Sequence, residues 1–289
     1  MILLTGASGM LGSAVQDELR NNNIDYISLD IKGPNDYIGS ISDNEFLSNV
    51  FKNNQIECII NCAAWTDVDG AEYINNKEEV DKCNIVGVEN LCNLAKQYDS
   101  KIIHISTDYV FDGSGNIPWD ETDIPVGPLN YYGLTKLKGE KLIETLEKYF
   151  IVRTQWTYGS NGKNFVNTMI DLSKTHSEVK VVDDQFGSPT FVVDLAKVLV
   201  EMINSQNYGY YHVVSSGEYV SWYEFCKEIY KQLGKTIKVI PVSSEQYGLS
   251  KAKRPLNSRL NHSKYIDVGF TKLPNWKESL RKYISLNKY

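Results

Sequence analysis

In the stretch NYYGLTKLKGE, residues 130–140, Tyr132 and Lys136 stand four positions apart. On a helix that spacing sets both side chains on one face, about 5–6 Å apart at Cβ. A phenol ordinarily ionises near pH 10, so it moves protons near neutrality only beside a cation and a ribose or water network. Lys136 can be that cation, and the chemistry this permits is proton transfer to or from an oxygen. Tyr131 precedes the same lysine but lacks the four-residue relation. A second set lies far upstream, where TGASGMLG places Gly6, Gly9 and Gly12 after an apolar run and at the opening of a helical one. Glycines there allow a tight turn and let the backbone approach a pyrophosphate whose charge rests on the helix N-terminus. The spacing is G-x-x-G-x-x-G rather than G-x-G-x-x-G, and a purely structural turn is the plain alternative. Asp30 closes the second apolar run, where a carboxylate would accept hydrogen bonds from an adenosine ribose and favour NAD. It could equally be a solvated turn residue, and Lys32 nearby could meet a 2′-phosphate.

These groups need elements to hold them. Apolar runs alternate with helical patterns through the first half, in the order MILLTG, MLGSAVQDELRNN, DYISLD, DNEFLSNVFKNN, ECIINCAA, NKEEVDKCNIVGVENLCNLAKQYD and SKIIHIST. That alternation predicts βαβ units and an α/β fold with a doubly wound parallel sheet. The long loop DGSGNIPWDETDIPVGPLN then leads into a helix expected from Tyr131 to about Tyr149, and FIVRTQ reads as a further strand. Beyond Trp156 the pattern is less regular and predicts a smaller mixed α/β domain. No period of 20–50 residues repeats.

Composition narrows the partners. A chain of 289 residues, 42% hydrophobic and 23% charged, can bury a sizeable core. The formal charge of −6, without a basic block, argues against nucleic acid. Without a bilayer-length apolar run or a charged n-region, the chain is expected to be cytoplasmic and free of membrane. Cys58, Cys62, Cys83, Cys92 and Cys226 form no C-x-x-C pair and read as reduced, mostly buried thiols. His104, His176, His212 and His262 lack metal-ligand spacing, so no metal site is expected.

The blocks TGASGMLG, NCAAWT, HISTDYVFDG and YYGLTKLKGE together resemble the extended short-chain dehydrogenase/reductases, a Rossmann-fold group with a Ser/Thr, Tyr and Lys catalytic set. With P-W-x-E-T-D, VRTQWTYG, DDQFGSPT and RPLNSRLNHSKY added, the chain is similar to the dTDP-4-dehydrorhamnose reductase family. The blocks run from residue 2 to about 282, and RPLNSRLN is much more specific than the shared Rossmann elements.

The resemblance implies a Rossmann-type cofactor domain over 1–155, with about 188–214 returning to it, and a mainly substrate-binding domain over 156–289. It implies NADPH or NADH as cofactor, a dTDP-sugar as substrate, and reduction of the C4 ketone of dTDP-4-dehydro-L-rhamnose. Tyr132 would give the proton, Lys136 would lower its pKa and hold the nicotinamide ribose, and Thr107 would bond the same oxygen. Ser106 competes with Thr107, and strand alternation allows only one of them into the site. Asp108, Tyr109 and Trp156 would touch the sugar nucleotide. Gly9, Met10 and Leu11 would lie under the pyrophosphate, Ser40 and Ile41 would bracket the adenine, and Ala63, Ala64 and Trp65 would line the path between. Plain packing is the other reading of Met10, Leu11, the two alanines and Trp65. Asn84 would shape the site or merely kink its helix. Gln185 and Pro189 would border the substrate cleft, though Gly187 and Pro189 could be turn residues. Where some members carry an acidic residue for an interface metal, Ser13 and Ala14 follow Gly12, and a monomer or homodimer is expected. Rival readings are another nucleotide-sugar ketoreductase or epimerase, and a non-catalytic relative similar to the regulatory subunit of methionine adenosyltransferase.

Overall fold

The computed structural model describes residues 1–287 and 289. Along the chain, β1 (Ile2–Thr5) feeds α1 (Met10–Asn21), then come β2 (Tyr26–Asp30), β3 (Tyr37–Ile38), α2 (Asn44–Asn53) and β4 (Cys58–Asn61). Next follow α3 (Lys77–Asp81), α4 (Gly87–Gln97), β5 (Lys101–Thr107), α5 (Tyr131–Ile143) and β6 (Tyr149–Thr154). The second half contains β7 (Thr157–Tyr158), α6 (Phe165–Leu172), β8 (Glu178–Val182), β9 (Phe186–Gly187), β10 (Thr190–Phe191) and α7 (Val192–Met202). It ends with β11 (Gly209–His212), β12 (Val220–Ser221), α8 (Trp222–Gln232), β13 (Lys238–Val242), α9 (Ser244–Tyr247), α10 (Ser263–Asp267) and α11 (Trp276–Leu286).

Seven strands form one sheet in the order β11-β6-β5-β4-β1-β2-β3, and every pair in it is parallel. This is the doubly wound parallel sheet expected of a Rossmann-type fold. Its strand order reverses between β1 and β4, and ligands of such sheets bind in the crevice at that reversal, beyond the strands' carboxyl ends. Strand alternation sends Leu4 and Leu3 to opposite faces. Leu4 joins Val15, Leu19, Phe150, Leu195 and Leu199 in the core under α1 and α7. Leu3 joins Phe51, Ile59, Leu91 and Ile151 in the core under α2 and α4. Both faces are covered, which is why the strands read as continuous apolar runs. A third core of Tyr158, Val166, Phe225, Ile229, Trp276 and Tyr283 gathers α6, α8 and α11 beside the parallel β8–β13 pair.

Two expected helices differ in detail. The long helix before β5 is interrupted by a π-helical turn over Lys82–Val86, between α3 and α4. The helix expected to reach Tyr149 stops at Ile143. There Thr145 Oγ1 donates to Leu142 O at 2.7 Å, and buried Leu146 anchors the turn that returns the chain to β6. All five cysteines carry free thiols, with Cys58, Cys92 and Cys226 buried. Among the described residues no helix is long and apolar enough to cross a membrane, and no His, Cys, Asp and Glu group could hold a metal ion.

Candidate active site

The glycine turn sits at the strand-order reversal. Gly6 has φ +66°, and a Cβ on it would lie 2.5 Å from Ala63 N in the loop after β4. A Cβ on Gly12 would lie 2.1 Å from Gly6 O. The turn therefore excludes larger residues at both positions, and it presses β1 against the crevice wall. Gly9 caps α1 without a side-chain bond, so the first-turn amides have no side chain to satisfy them, as an anion site requires. Met10 and Leu11 are half-buried and also pack on the core beneath.

Asp30 is tied in place at the end of β2. Its Oδ2 accepts from Ser8 N at 3.0 Å and its Oδ1 from Ile31 N at 2.7 Å. Lys32 is exposed, and its carbonyl accepts from Ser8 Oγ and Asn35 Nδ2. Ser40 Oγ pairs with Ser42 Oγ at 2.8 Å. Ile41 is buried, and Gly87 leaves it room, since a Cβ there would lie 2.4 Å from Ile41 Cγ1. Ala63, Ala64 and Trp65 run half-buried along the crevice loop. Asn84, inside the π turn, accepts from Trp65 N at 2.9 Å and donates to Thr135 Oγ1 of α5 at 3.0 Å. The kink and the clamp are thus one device, joining the crevice loop to the helix of Tyr132; π turns recur at functional sites.

The β5 end separates Ser106 from Thr107. Ser106 Oγ donates to Glu140 Oε1 at 2.5 Å, and Glu140 also accepts from Arg153 Nε at 2.9 Å and Nη2 at 2.7 Å. Ser106 belongs to a buried ion pair, away from the cleft. Thr107 Oγ1 donates to Asp108 Oδ1 at 3.1 Å, accepts from Tyr109 N at 3.2 Å, and lies within hydrogen-bonding reach of the Tyr132 phenol. Asn130 starts α5 by accepting from Gly133 N at 2.8 Å. A Cβ on Gly133 would lie 2.2 Å from Tyr109 O, so this glycine lets the helix start abut the end of β5. The Tyr109 and Tyr132 rings meet edge to face at 5.9 Å.

The two neighbouring tyrosines diverge. Tyr131 OH donates to Asp81 Oδ1 at 2.8 Å, and Lys77 Nζ lies 4.5 Å from its ring centroid. Tyr132 is half-buried, and loss of solvent around its hydroxyl raises its pKa above the ordinary phenol value, Asp108 adding to the rise and the nearby Thr107 hydroxyl opposing it. Among the described residues Lys136 makes no hydrogen bond to this phenol. Lys136 Nζ instead donates to Ile105 O at 2.7 Å, and burial brings its pKa down to about 8. A phenol held protonated is suited to give a proton. Burial also pushes Asp108 up to about 7, and its Oδ2 has no hydrogen-bond partner among the described residues.

In the second half of the chain, Gln185, Ser244, Tyr247, Lys251 and Arg254 border a cavity of ≈ 520 Å³. Arg254 Nη1 and Nη2 donate to Asp69 at 3.1 and 2.7 Å, and Ala252 N donates to the same carboxylate at 2.8 Å. The Arg254 guanidinium also lies close enough to the Tyr109 hydroxyl to act on its charge. Trp156 holds φ +47°, a conformation non-glycine residues seldom adopt and one that clusters at functional sites. Its ring stacks on Trp222 at 3.7 Å, and a Cβ on Gly187 would lie 2.8 Å from Trp156 Cε2. Asp69 and Trp222 were not foreseen. Nothing in their sequence neighbourhoods announces contacts to Arg254 and Trp156, although the RPLNSRLN block around Arg254 did stand out.

A doubly wound sheet, a glycine turn at its reversal point and a Thr, Tyr and Lys set beside that turn define the class: a nicotinamide-dependent oxidoreductase of the extended short-chain type. The turn space that no Cβ can share and the uncapped α1 terminus fit a dinucleotide pyrophosphate. The family model described as RmlD substrate binding domain matches residues 1–288. The dTDP-4-dehydrorhamnose reductase of Escherichia coli (strain K12) is 34% identical over 298 residues, 98% of this chain and 97% of that protein. The dTDP-4-keto-6-deoxy-D-glucose reductase of Streptomyces niveus is 33% identical over 287 residues, covering 98% and 96%. The crystal structure of dTDP-4-dehydrorhamnose reductase from Bacillus anthracis str. Ames in complex with NADP superposes with a TM-score of 0.91 at 38% identity, covering 99% and 98% of the two chains. This chain belongs to the dTDP-4-dehydrorhamnose reductase family, a family of NAD(P)H-dependent oxidoreductases.

Proposed function

We propose that this chain reduces the C4 ketone of dTDP-4-dehydro-L-rhamnose to the alcohol, with Tyr132 giving the proton, Thr107 bonding the same oxygen and Lys136 holding the nicotinamide ribose. NADPH or NADH, when bound, supplies the hydride. The chain's own residues orient the ketone and keep the phenol protonated until charge develops on the oxygen beside the buried Thr107. Gly6, Gly9, Met10, Leu11 and Gly12 would lie under the pyrophosphate and Asp30 would meet the adenosine ribose. Ser40, Ile41, Ala63, Ala64 and Trp65 would line the rest of the dinucleotide path. Asp108, Tyr109 and Trp156 would contact the sugar nucleotide. Residues 1–155, with about 188–214 returning, form the cofactor part of this reading and 156–289 mainly the substrate part. The reading takes the protein as cytoplasmic, a monomer or homodimer, consistent with five free thiols.

The observation that supports it best is the divergence of the tyrosines: Tyr132 packs edge to face on Tyr109 beside Thr107 while Tyr131 bonds Asp81. The test follows the loss of reduced-nicotinamide absorbance with dTDP-4-dehydro-L-rhamnose generated in situ, with NADH and NADPH separately. Turnover that disappears in Tyr132→Phe is expected. Turnover unchanged in that variant would overturn the assignment. The Streptomyces niveus relative favours one second reading, another dTDP-4-keto-6-deoxy sugar as substrate. Rapid turnover of that sugar, with none of the rhamnose precursor, would establish it.

A further inference from the structure

Beneath the catalytic helix runs a buried polar chain that crosses four elements: Thr5 ends β1, Asn61 ends β4, His104 lies in β5 and Lys136 in α5. None of the four is more than 2% exposed. The direction of its hydrogen bonds follows from one backbone group. Ala63 N–H can only donate, and it lies 3.2 Å from Asn61 Oδ1, which also accepts from Thr5 Oγ1 at 2.7 Å. The opposite amide orientation would set the Asn61 NH₂ group against a backbone donor. Asn61 Nδ2 therefore faces His104 Nδ1, 3.0 Å away. An amide nitrogen only donates, so Nδ1 accepts and the neutral ring carries its proton on Nε2. That Nε2–H points at Lys136 Nζ, 3.3 Å distant. Two donors would oppose each other there if the lysine were an ammonium, whereas a neutral amine offers a lone pair.

We propose that Thr5, Asn61 and His104 form a positioning chain that sets the charge of Lys136, locking His104 as the Nε2–H tautomer and favouring the neutral amine. This rests on the reading of Lys136 as a catalytic residue and adds the residues that tune it. His104 acts through Lys136 and touches neither substrate nor cofactor in this assignment. The other groups facing the amine, Cys83, Glu140 and Cys62, oppose the effect and offset only part of it. Cys62 is a thiol pushed up to about 12 and Cys83 is likewise raised, so both are neutral. Glu140 is occupied by Arg153 and Ser106. Burial and the lysine together hold His104 well below its ordinary value, so the ring stays neutral. With Lys136 at about 8, its ammonium is present below that pH and lost above it. Burial is the largest cause of that lowering, and in this proposal the His104 Nε2–H contact acts in the same direction, through sheet residues that sequence spacing does not connect to the site.

The test uses the full chain labelled with ¹⁵N-histidine, with the His104 signals assigned by their loss in His104→Gln. The expected result is a ring protonated at Nε2 alone that stays neutral through its ordinary range; protonation at Nδ1, or titration near pH 6.5, would overturn the proposal. Asn61→Asp reverses the chain, because a carboxylate accepts from Nδ1–H and leaves Nε2 to accept from the ammonium. In that variant the tautomer should switch and the alkaline limb of kcat/KM should move up by about one pH unit or more. A switched tautomer with an unmoved limb would refute the coupling to Lys136. If the variant does not fold, the wild-type tautomer still decides. Absence of turnover in the wild type would instead refute the catalytic reading, and leaves the tautomer result standing.

Discussion

Residue by residue, environment separates groups that composition makes equal. Tyr131 and Tyr132 are adjacent and identical, yet one bonds Asp81 and the other packs on Tyr109 beside Thr107. Removing the Tyr132 hydroxyl should lower kcat by 10² or more, the usual scale for a positioned general acid, with nicotinamide affinity nearly unchanged. Tyr131→Phe should retain turnover and lose about 1 kcal/mol of stability with its hydrogen bond, measured by urea unfolding. Asp108 makes a pH-dependent prediction. Its folded pKa of about 7 lies above the ordinary carboxylate value, so the native state binds more protons than the unfolded one between about pH 4 and 7. The cost of burying its charge is therefore fully present above pH 7 and relieved as pH falls. Asp108→Asn should raise Tm at pH 8 and leave it little changed at pH 4, and equal shifts at both would contradict the assignment. The spacing of Tyr132 and Lys136 was legible because helical periodicity is local. The charge state of Lys136 was not, because it depends on Asn61 and His104 across two strands.

At the level of elements, the βαβ alternation was readable from apolar runs bounded by glycine and polar turns. The π turn was not, since it differs from an α-helix by one residue per turn and leaves no compositional mark. It is held by what Asn84 reaches in space, Trp65 and Thr135. The stop of α5 at Ile143 was equally hidden, because no glycine or proline marks it. The β1–α1 turn tests how far one element decides binding. Gly12→Ala would place a methyl 2.1 Å from Gly6 O, against backbone that cannot yield cheaply. The Kd for NADPH, read by fluorescence titration, should rise at least about tenfold by displacement of the α1 amides.

For the whole molecule, the site is assembled from segments far apart in the chain. Asp69 follows β4 and Arg254 lies near the C-terminal helices, yet their bidentate pair holds the 252–254 segment beside Tyr109 and the cavity. Arg254→Met should raise KM for the sugar nucleotide about tenfold or more while sparing cofactor affinity; a raised cofactor Kd would place the arginine elsewhere in the mechanism. The buried Glu140–Arg153 pair joins α5 to β6 under the catalytic face. Glu140→Gln leaves the Arg153 guanidinium buried without its counter-charge and should destabilise by roughly 3–5 kcal/mol in denaturant unfolding.

By itself the sequence determined the order of the main strands and helices as far as β6, the glycine turn and the Tyr–Lys spacing, because each is written in neighbours a few residues apart. It also placed Thr107 ahead of Ser106 once strand alternation was combined with the family pattern. Only the tertiary structure decided which tyrosine packs beside Thr107 and which residues hold Lys136. It alone paired Asp69 with Arg254 and stacked Trp222 on Trp156. Those outcomes depend on burial and on hydrogen-bond partners that the chain brings together only when the sheet closes, and no local pattern encodes them.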